Sequence, residues 1–214
     1  GIRDRYQAAA SSESGGTVEF TSTGNTGAHV GQHDRWAMDE KPTMPSAKDS
    51  SLIQVPSMRL DDIVEKTDHG VFVLKVDTQG FEPNVLSGLT KSLQQHKVQY
   101  ILMEYWPRGM DLLAEKPDAC IGADLLQSLL DMGYSLYALG VQAHPRAPKE
   151  WKNFIGTRPL DNIQAHCRWY FNLEKHAPSE EYKMGYWSDI LAVAPTATLP
   201  EPQTGTGTLL AETR

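Results

Sequence analysis

Two apolar, β-branched runs, Val71–Val76 and Val98–Met103, flank an amphipathic stretch of helical length. That alternation most narrows the folds open to the chain. A near-continuous apolar run reads as a strand buried on both faces. Between the runs, Val85, Leu86, Leu89 and Leu93 fall on one helical face, and Pro83 suits a first helical turn, so the spacing predicts one helix over Pro83–Gln95. A second helix is predicted over Ala123–Met132, with Gly133 placed to end it, and a third strand over Tyr134–Leu139. Strand, helix, strand, helix and strand joined by short links imply parallel strands with right-handed crossovers, an α/β sheet.

The flanks are less regular. Thr17–Thr21 and Ile53–Met58 read as short strands, and Leu60–Val64 as a brief helix with acidic residues at its positive end. Residues 22–51 carry no periodic apolar signal and read as a loop or insertion. Gln142–Pro159 reads as a further insertion, Asp161–His176 as a helix and Asp189–Ala194 as a last strand. The domain organisation expected is one domain over 1–194 and a disordered tail over 195–214. No internal repeat is present.

Composition excludes several classes. Of 214 residues, 40% are hydrophobic and 22% charged, which suits a globular chain. A net charge of -7 with scattered bases argues against nucleic-acid binding. No apolar run approaches the roughly 18 residues needed to span a bilayer. Cys120 and Cys167 do not make a disulfide framework, and two reduced thiols in a reducing compartment, the cytoplasm, are expected.

Ligands of open α/β sheets bind beyond the carboxyl ends of the strands. Asp77 follows the first central strand, and Glu104, Tyr105 and Trp106 close the second, so two carboxylates arrive at one edge. A carboxylate there can orient a cation, bind a metal or act as a base, or it can simply cap a turn. Gly80 allows a tight turn, and Glu82 can satisfy free N–H groups of the following helix. His29 and His33 have metal-ligand spacing, but Gly31 and loop-like surroundings count against a metal, and none is expected. His166-Cys167 suggests a nucleophile without an identifiable partner. Trp151, Trp169, Tyr170, Phe171, Tyr182, Tyr186 and Trp187 either line an acceptor pocket or pack a core.

Several ordered elements together resemble the FkbM-type methyltransferases. VLKVDTQGFEPNVLSGL over Val73–Leu89 is similar to that family's strand-Lys-hydrophobe-Asp-x-x-Gly-hydrophobe-Glu hallmark. Met58–Ile63 resembles its "LDD" element, ILMEYWP over Ile101–Pro107 its strand ending in Glu, and AAASSESGGTVEF over Ala8–Phe20 its Ala-Ser-turn-Gly-strand element. The resemblance covers roughly residues 8–140, and the strand near Ser188–Val193 fits too. It implies a class I, Rossmann-like methyltransferase sheet with helices on both faces and a reversed last strand. It also implies transfer of a methyl group from S-adenosylmethionine to a hydroxyl of a small-molecule or sugar acceptor. By position, Asp77 and Glu104 would be catalytic. Ala9, Ala10, Asp77 and Gly80 would contact the cofactor. Lys75, Glu82, Tyr105 and Trp106 would shape the acceptor pocket.

The chain departs from that pattern where the family grips its cofactor. A first strand followed by an Asp-hydrophobe-Gly-Ala-type turn, and an acidic residue after a second strand, are not found. Gly15-Gly16 and Gly24-Asn25-Thr26-Gly27 lie in the wrong context and read as turns. The sheet is therefore expected to be incomplete on its amino-terminal side, leaving the strand that ends at Asp77 with an unpaired apolar edge. A non-catalytic binding or scaffold module is the alternative function. An α/β enzyme of another class sharing the Asp-x-x-Gly turn is a third.

Overall fold

The computed structural model describes residues 6–22, 29–30, 51–67, 69–142, 159–175 and 185–199. In chain order the elements are β1 (Ala9–Ala10), β2 (Thr17–Ser22), β3 (His29–Val30), β4 (Ser51–Met58), α1 (Asp61–Val64), β5 (Val71–Val76), α2 (Glu82–Ser87), α3 (Thr90–Gln94), β6 (Val98–Tyr105), α4 (Pro107–Leu113), α5 (Ile121–Asp131), β7 (Ser135–Gln142), α6 (Ile163–Lys175) and β8 (Trp187–Val193). They form two four-stranded sheets, ordered β1-β4-β2-β3 and β5-β6-β8-β7. Most of the expected insertion over 142–159, most of 22–51 and residues 200–214 of the tail expected over 195–214 lie outside the described residues, while 195–199 lie against the sheet, where the Tyr100 hydroxyl donates to the Thr198 carbonyl at 2.6 Å.

The second sheet carries the core. β5 and β6 are parallel, while β8 is antiparallel to both β6 and β7. β7 therefore runs with β5 and β6, and the reversed strand lies between them. One face presents Ile101, Met103 and Tyr105 of β6, Ile190 and Ala192 of β8, and Leu136 and Ala138 of β7, all buried. These residues share one core cluster with Met110 of α4, Leu126 and Leu129 of α5, and Tyr170 of α6. The opposite face, with Leu102 and Leu191 paired across the strands, is only half-buried. Gly133, at φ +88°, closes the turn from α5 into β7 as the sequence predicted.

β5 is not buried on both faces. Phe72 and Val73 are 67% and 53% exposed, and only Val76 is buried. The reason is its place: β5 pairs with β6 on one side and, among the described residues, with no strand on the other. Among the described residues this edge of β5, with Phe72 and Val73 exposed, is unpaired.

The single helix predicted over Pro83–Gln95 is two. Gly88 ends α2, and Leu89, at φ -119° and ψ 7°, breaks the helical path. The carbonyl of Gly88 accepts the Asp61 N–H at 3.0 Å. A Cβ on Gly88 would come 2.0 Å from the Ser11 carbonyl oxygen, so the amino-terminal segment packs directly on this joint. Asp61 then caps α3 from a distance. Its carboxylate accepts the N–H groups of Lys91 (3.1 Å) and Ser92 (2.9 Å) and the Ser92 hydroxyl (2.6 Å). Burial alone would raise its pKa, but these bonds and the Arg59 guanidinium hold it below the ordinary value.

Cys120 and Cys167 form a disulfide, with their Cα atoms 6.2 Å apart. This corrects the expectation of two reduced thiols and removes the ground for a reducing compartment. Both residues are buried where the start of α5 meets α6, and their sequence separation of 47 gave no hint of the pairing. Asp111 fixes the same corner by accepting the N–H groups of Cys120 and Ile121, each at 2.8 Å. No described helix is long and apolar enough to cross a membrane.

Candidate active site

The site begins where β5 ends. Glu82, fully buried at the start of α2, folds back onto the preceding turn. Its Oε1 accepts the N–H (2.8 Å) and hydroxyl (3.0 Å) of Thr78, and its Oε2 accepts the N–H of Gly80 (2.9 Å). The turn needs two left-handed residues in succession, Gln79 at φ 55° and Gly80 at φ +96°. Gly80 is required by contact as well, since a Cβ there would lie 2.8 Å from the Gly109 carbonyl carbon of α4.

This turn brings side chains together at the carboxyl edge of β5 and β6. Gln79 donates from Nε2 to Asp77 Oδ1 (3.1 Å) and to Glu104 Oε2 (3.0 Å). Lys75 lies 3.5 Å from Asp77 Oδ2 and 3.4 Å from Asp189 Oδ1. Asp189, on β8, is the register partner of Glu104 on β6. Asp77, Lys75 and Gln79 thus link carboxylates from three neighbouring strands.

The electrostatics of the edge centre on Glu104, which is 8% exposed. Burial raises its pKa first, the Glu82 and Asp77 carboxylates add to the rise, and Gln79 and Lys75 oppose it; the result is about 7. Burial also raises Glu82, against the pull of its hydrogen bonds to Thr78 and Gly80. Glu104 can therefore exchange a proton near neutral pH, as a general acid or base requires. Among the described residues no group of three or more His, Cys, Asp or Glu side chains is placed to hold a metal ion. His33 lies outside the described residues.

The structure brings Asp77, Glu104, Lys75 and Gly80 together at one edge. It places the other five elsewhere or in other contacts. Tyr105 and Trp106, expected at the acceptor pocket, are 0% and 4% exposed. Strand alternation sends Tyr105 to the face opposite Glu104, where it stacks on His166 at 5.6 Å between ring centroids. Trp106 lies beneath Gly109, whose added Cβ would fall 2.3 Å from its ring. Glu82 spends its hydrogen-bonding capacity on the turn and shapes the site from behind. Ala9 and Ala10 lie in the first sheet, on the strand paired with β4, rather than on the sheet that carries the carboxylates.

The carboxy-terminal aromatics resolve toward packing. Trp169 and Tyr170 join Tyr105 and His166 in one ring cluster, and Tyr186 is buried. Trp151 and Tyr182 lie outside the described residues. His166 is no nucleophile's partner. Burial lowers its pKa to about 4, and Cys167 beside it is in the disulfide. Two site residues escaped the sequence reading. Gln79 was one of two undistinguished positions in the turn, and Asp189 becomes visible only once β8 is paired in register with β6.

With this geometry in place, comparison with known families adds one match. The family model described as the methyltransferase FkbM domain matches residues 3–136. The chain belongs to the FkbM methyltransferase domain family. The matched span runs from the amino-terminal segment through β6 and α5 into the start of β7, so it includes every carboxylate of the site except Asp189. No curated protein and no solved structure gave a match. The FkbM domain thus accounts for both halves of the Asp77–Glu104 edge, while β8, outside the matched span, continues the sheet beyond β6.

Proposed function

We propose that the chain forms the acceptor side of an S-adenosylmethionine-dependent O-methyltransferase acting on a hydroxyl of a small molecule or sugar. The observation that carries this reading is Glu104, a mostly buried carboxylate with a pKa of about 7, held beside Asp77 at the carboxyl edge of the sheet. Family membership supplies the reaction class. The strand order β5-β6-β8-β7, with β8 reversed, supports a class I arrangement.

The edge fits one end of the cofactor. A half-exposed Asp77, with Glu104 behind it, gives a negative rim suited to a sulfonium cation. The family's cofactor-gripping glycine turn, expected ahead of β5, and an acidic residue placed for a ribose are not found among the described residues, so grip on the remainder of the cofactor is not assigned to them. When bound, S-adenosylmethionine supplies an electrophilic methyl group. The chain's own contribution is to hold an acceptor hydroxyl at the Asp77–Glu104 edge and to take its proton on Glu104 Oε1 or Oε2 as the oxygen becomes nucleophilic. Lys75, between Asp77 and Asp189, keeps the rim's negative charges from repelling one another.

The exposed edge of β5 favours a second reading, a non-catalytic module that pairs through that edge. Methyl transfer separates the two. With labelled S-adenosylmethionine and a panel of hydroxyl acceptors, the complete protein transfers label under the first reading, and Asp77→Ala abolishes it. A folded complete protein that transfers nothing to any acceptor would support the second. The isolated chain is expected to bind S-adenosylmethionine weakly or not at all, and micromolar binding by calorimetry would contradict that.

A further inference from the structure

We propose that Gln79 is a positioning residue that fixes Asp77 and Glu104 as one unit. The role of that unit rests on the methyltransferase reading, but its geometry does not. Gln79 holds a left-handed backbone, φ 55°, in a turn whose next residue is a glycine in the same region. A non-glycine residue there costs about 1 kcal/mol. Glycine would meet the backbone's demand without that cost, so the conformation alone gives no reason for glutamine.

The side chain gives the reason. Its carboxamide nitrogen is 3.1 Å from Asp77 Oδ1 and 3.0 Å from Glu104 Oε2, so each of its two hydrogens is directed to a different carboxylate. The charged groups that face Glu104 are Asp77 and Lys75 from β5, Glu82 from α2 and its register partner Asp189 from β8. Lys75 is shared between Asp77 and Asp189. Gln79 is therefore the neutral donor that lets Asp77 and Glu104 sit side by side. It also favours ionised Glu104, because its N–H hydrogens bond the carboxylate better than the acid.

Gln79→Gly separates positioning from folding. Glycine relieves the left-handed strain, so stability in urea near pH 5, where Glu104 stays protonated in the fold, is expected to stay equal or rise. Loss of the charge-assisted bond raises the Glu104 titration midpoint by roughly one pH unit, read from its side-chain carboxyl ¹³C shift in the chain itself. Gln79→Asn, which also tolerates the left-handed region but is one methylene shorter, is expected to move the midpoint the same way. In the complete protein, the acidic limb of the methyl-transfer pH profile shifts upward in parallel. A wild-type midpoint in either variant overturns the proposal, as does a loss of stability in Gln79→Gly with no change of midpoint. A shifted midpoint in a complete protein that transfers no methyl group upholds the role of Gln79 and removes the methyltransferase reading.

Discussion

Replacing Glu104 by Gln should remove a pH dependence built into the fold. In the folded chain the Glu104 pKa is raised from 4.5 to about 7. At 1.36 kcal/mol per unit, ionising the buried carboxyl costs the folded state roughly 3 kcal/mol relative to the unfolded chain. The sign follows from which state holds the proton more tightly. Below pH 4.5 the group is protonated in both states and the cost is absent; it grows as pH rises and is complete above about pH 7. The wild-type chain therefore loses stability across that window, and Glu104→Gln, which cannot ionise, does not. Urea unfolding at intervals from pH 4.5 to 8 gives the difference between the two proteins, in which titrations common to both largely cancel. That difference should shift by roughly 3 kcal/mol in favour of the variant as pH rises. A difference flat to within about 0.5 kcal/mol would refute the burial and like-charge argument for Glu104.

Other substitutions test the supports of the site. Asp61→Ala strands the N–H groups of Lys91 and Ser92 and the Ser92 hydroxyl, and should cost roughly 3 kcal/mol by urea denaturation. Because the pKa of Asp61 is lowered in the fold, that contribution is present above about pH 4 and fades as pH falls through the folded value. Tyr105→Phe should be neutral or stabilising by up to about 1 kcal/mol, since the buried Tyr105 hydroxyl has no hydrogen-bond partner among the described residues. Replacing Cys120 and Cys167 together by Ala should lower stability by roughly 3–4 kcal/mol, given the 47-residue separation the bridge closes, and thiol labelling of the unfolded wild-type chain should find no free thiol.

What could be read from the sequence was what local pattern determines. The apolar periods of β5, β6 and α5 located those elements within a few residues, and Gly133 marked the end of α5. Properties set by distant partners could not be read this way. The break at Gly88–Leu89 depends on the Ser11 carbonyl and the Asp61 cap, which approach from residues far away in the chain. α4, which opens at Pro107 directly after the strand that ends at Tyr105, was not anticipated. The disulfide depends on how α5 meets α6.

The carboxylates divide in the same way. Asp77 and Glu104 were visible because they end apolar runs. The sequence reading also put Tyr105 and Trp106 at the edge because they are adjacent to Glu104. Strand alternation turned the first into the core, and the start of α4 covered the second. Gln79 looked like a turn filler, and its role appears only from the two distances that join it to both carboxylates.

Label transfer from S-adenosylmethionine to a hydroxyl acceptor, by the complete protein and its Asp77→Ala variant, tests the central reading most directly. The account predicts transfer by the wild-type protein and none above background by the variant. Equal transfer by both would remove Asp77, and with it the proposed edge, from the reaction.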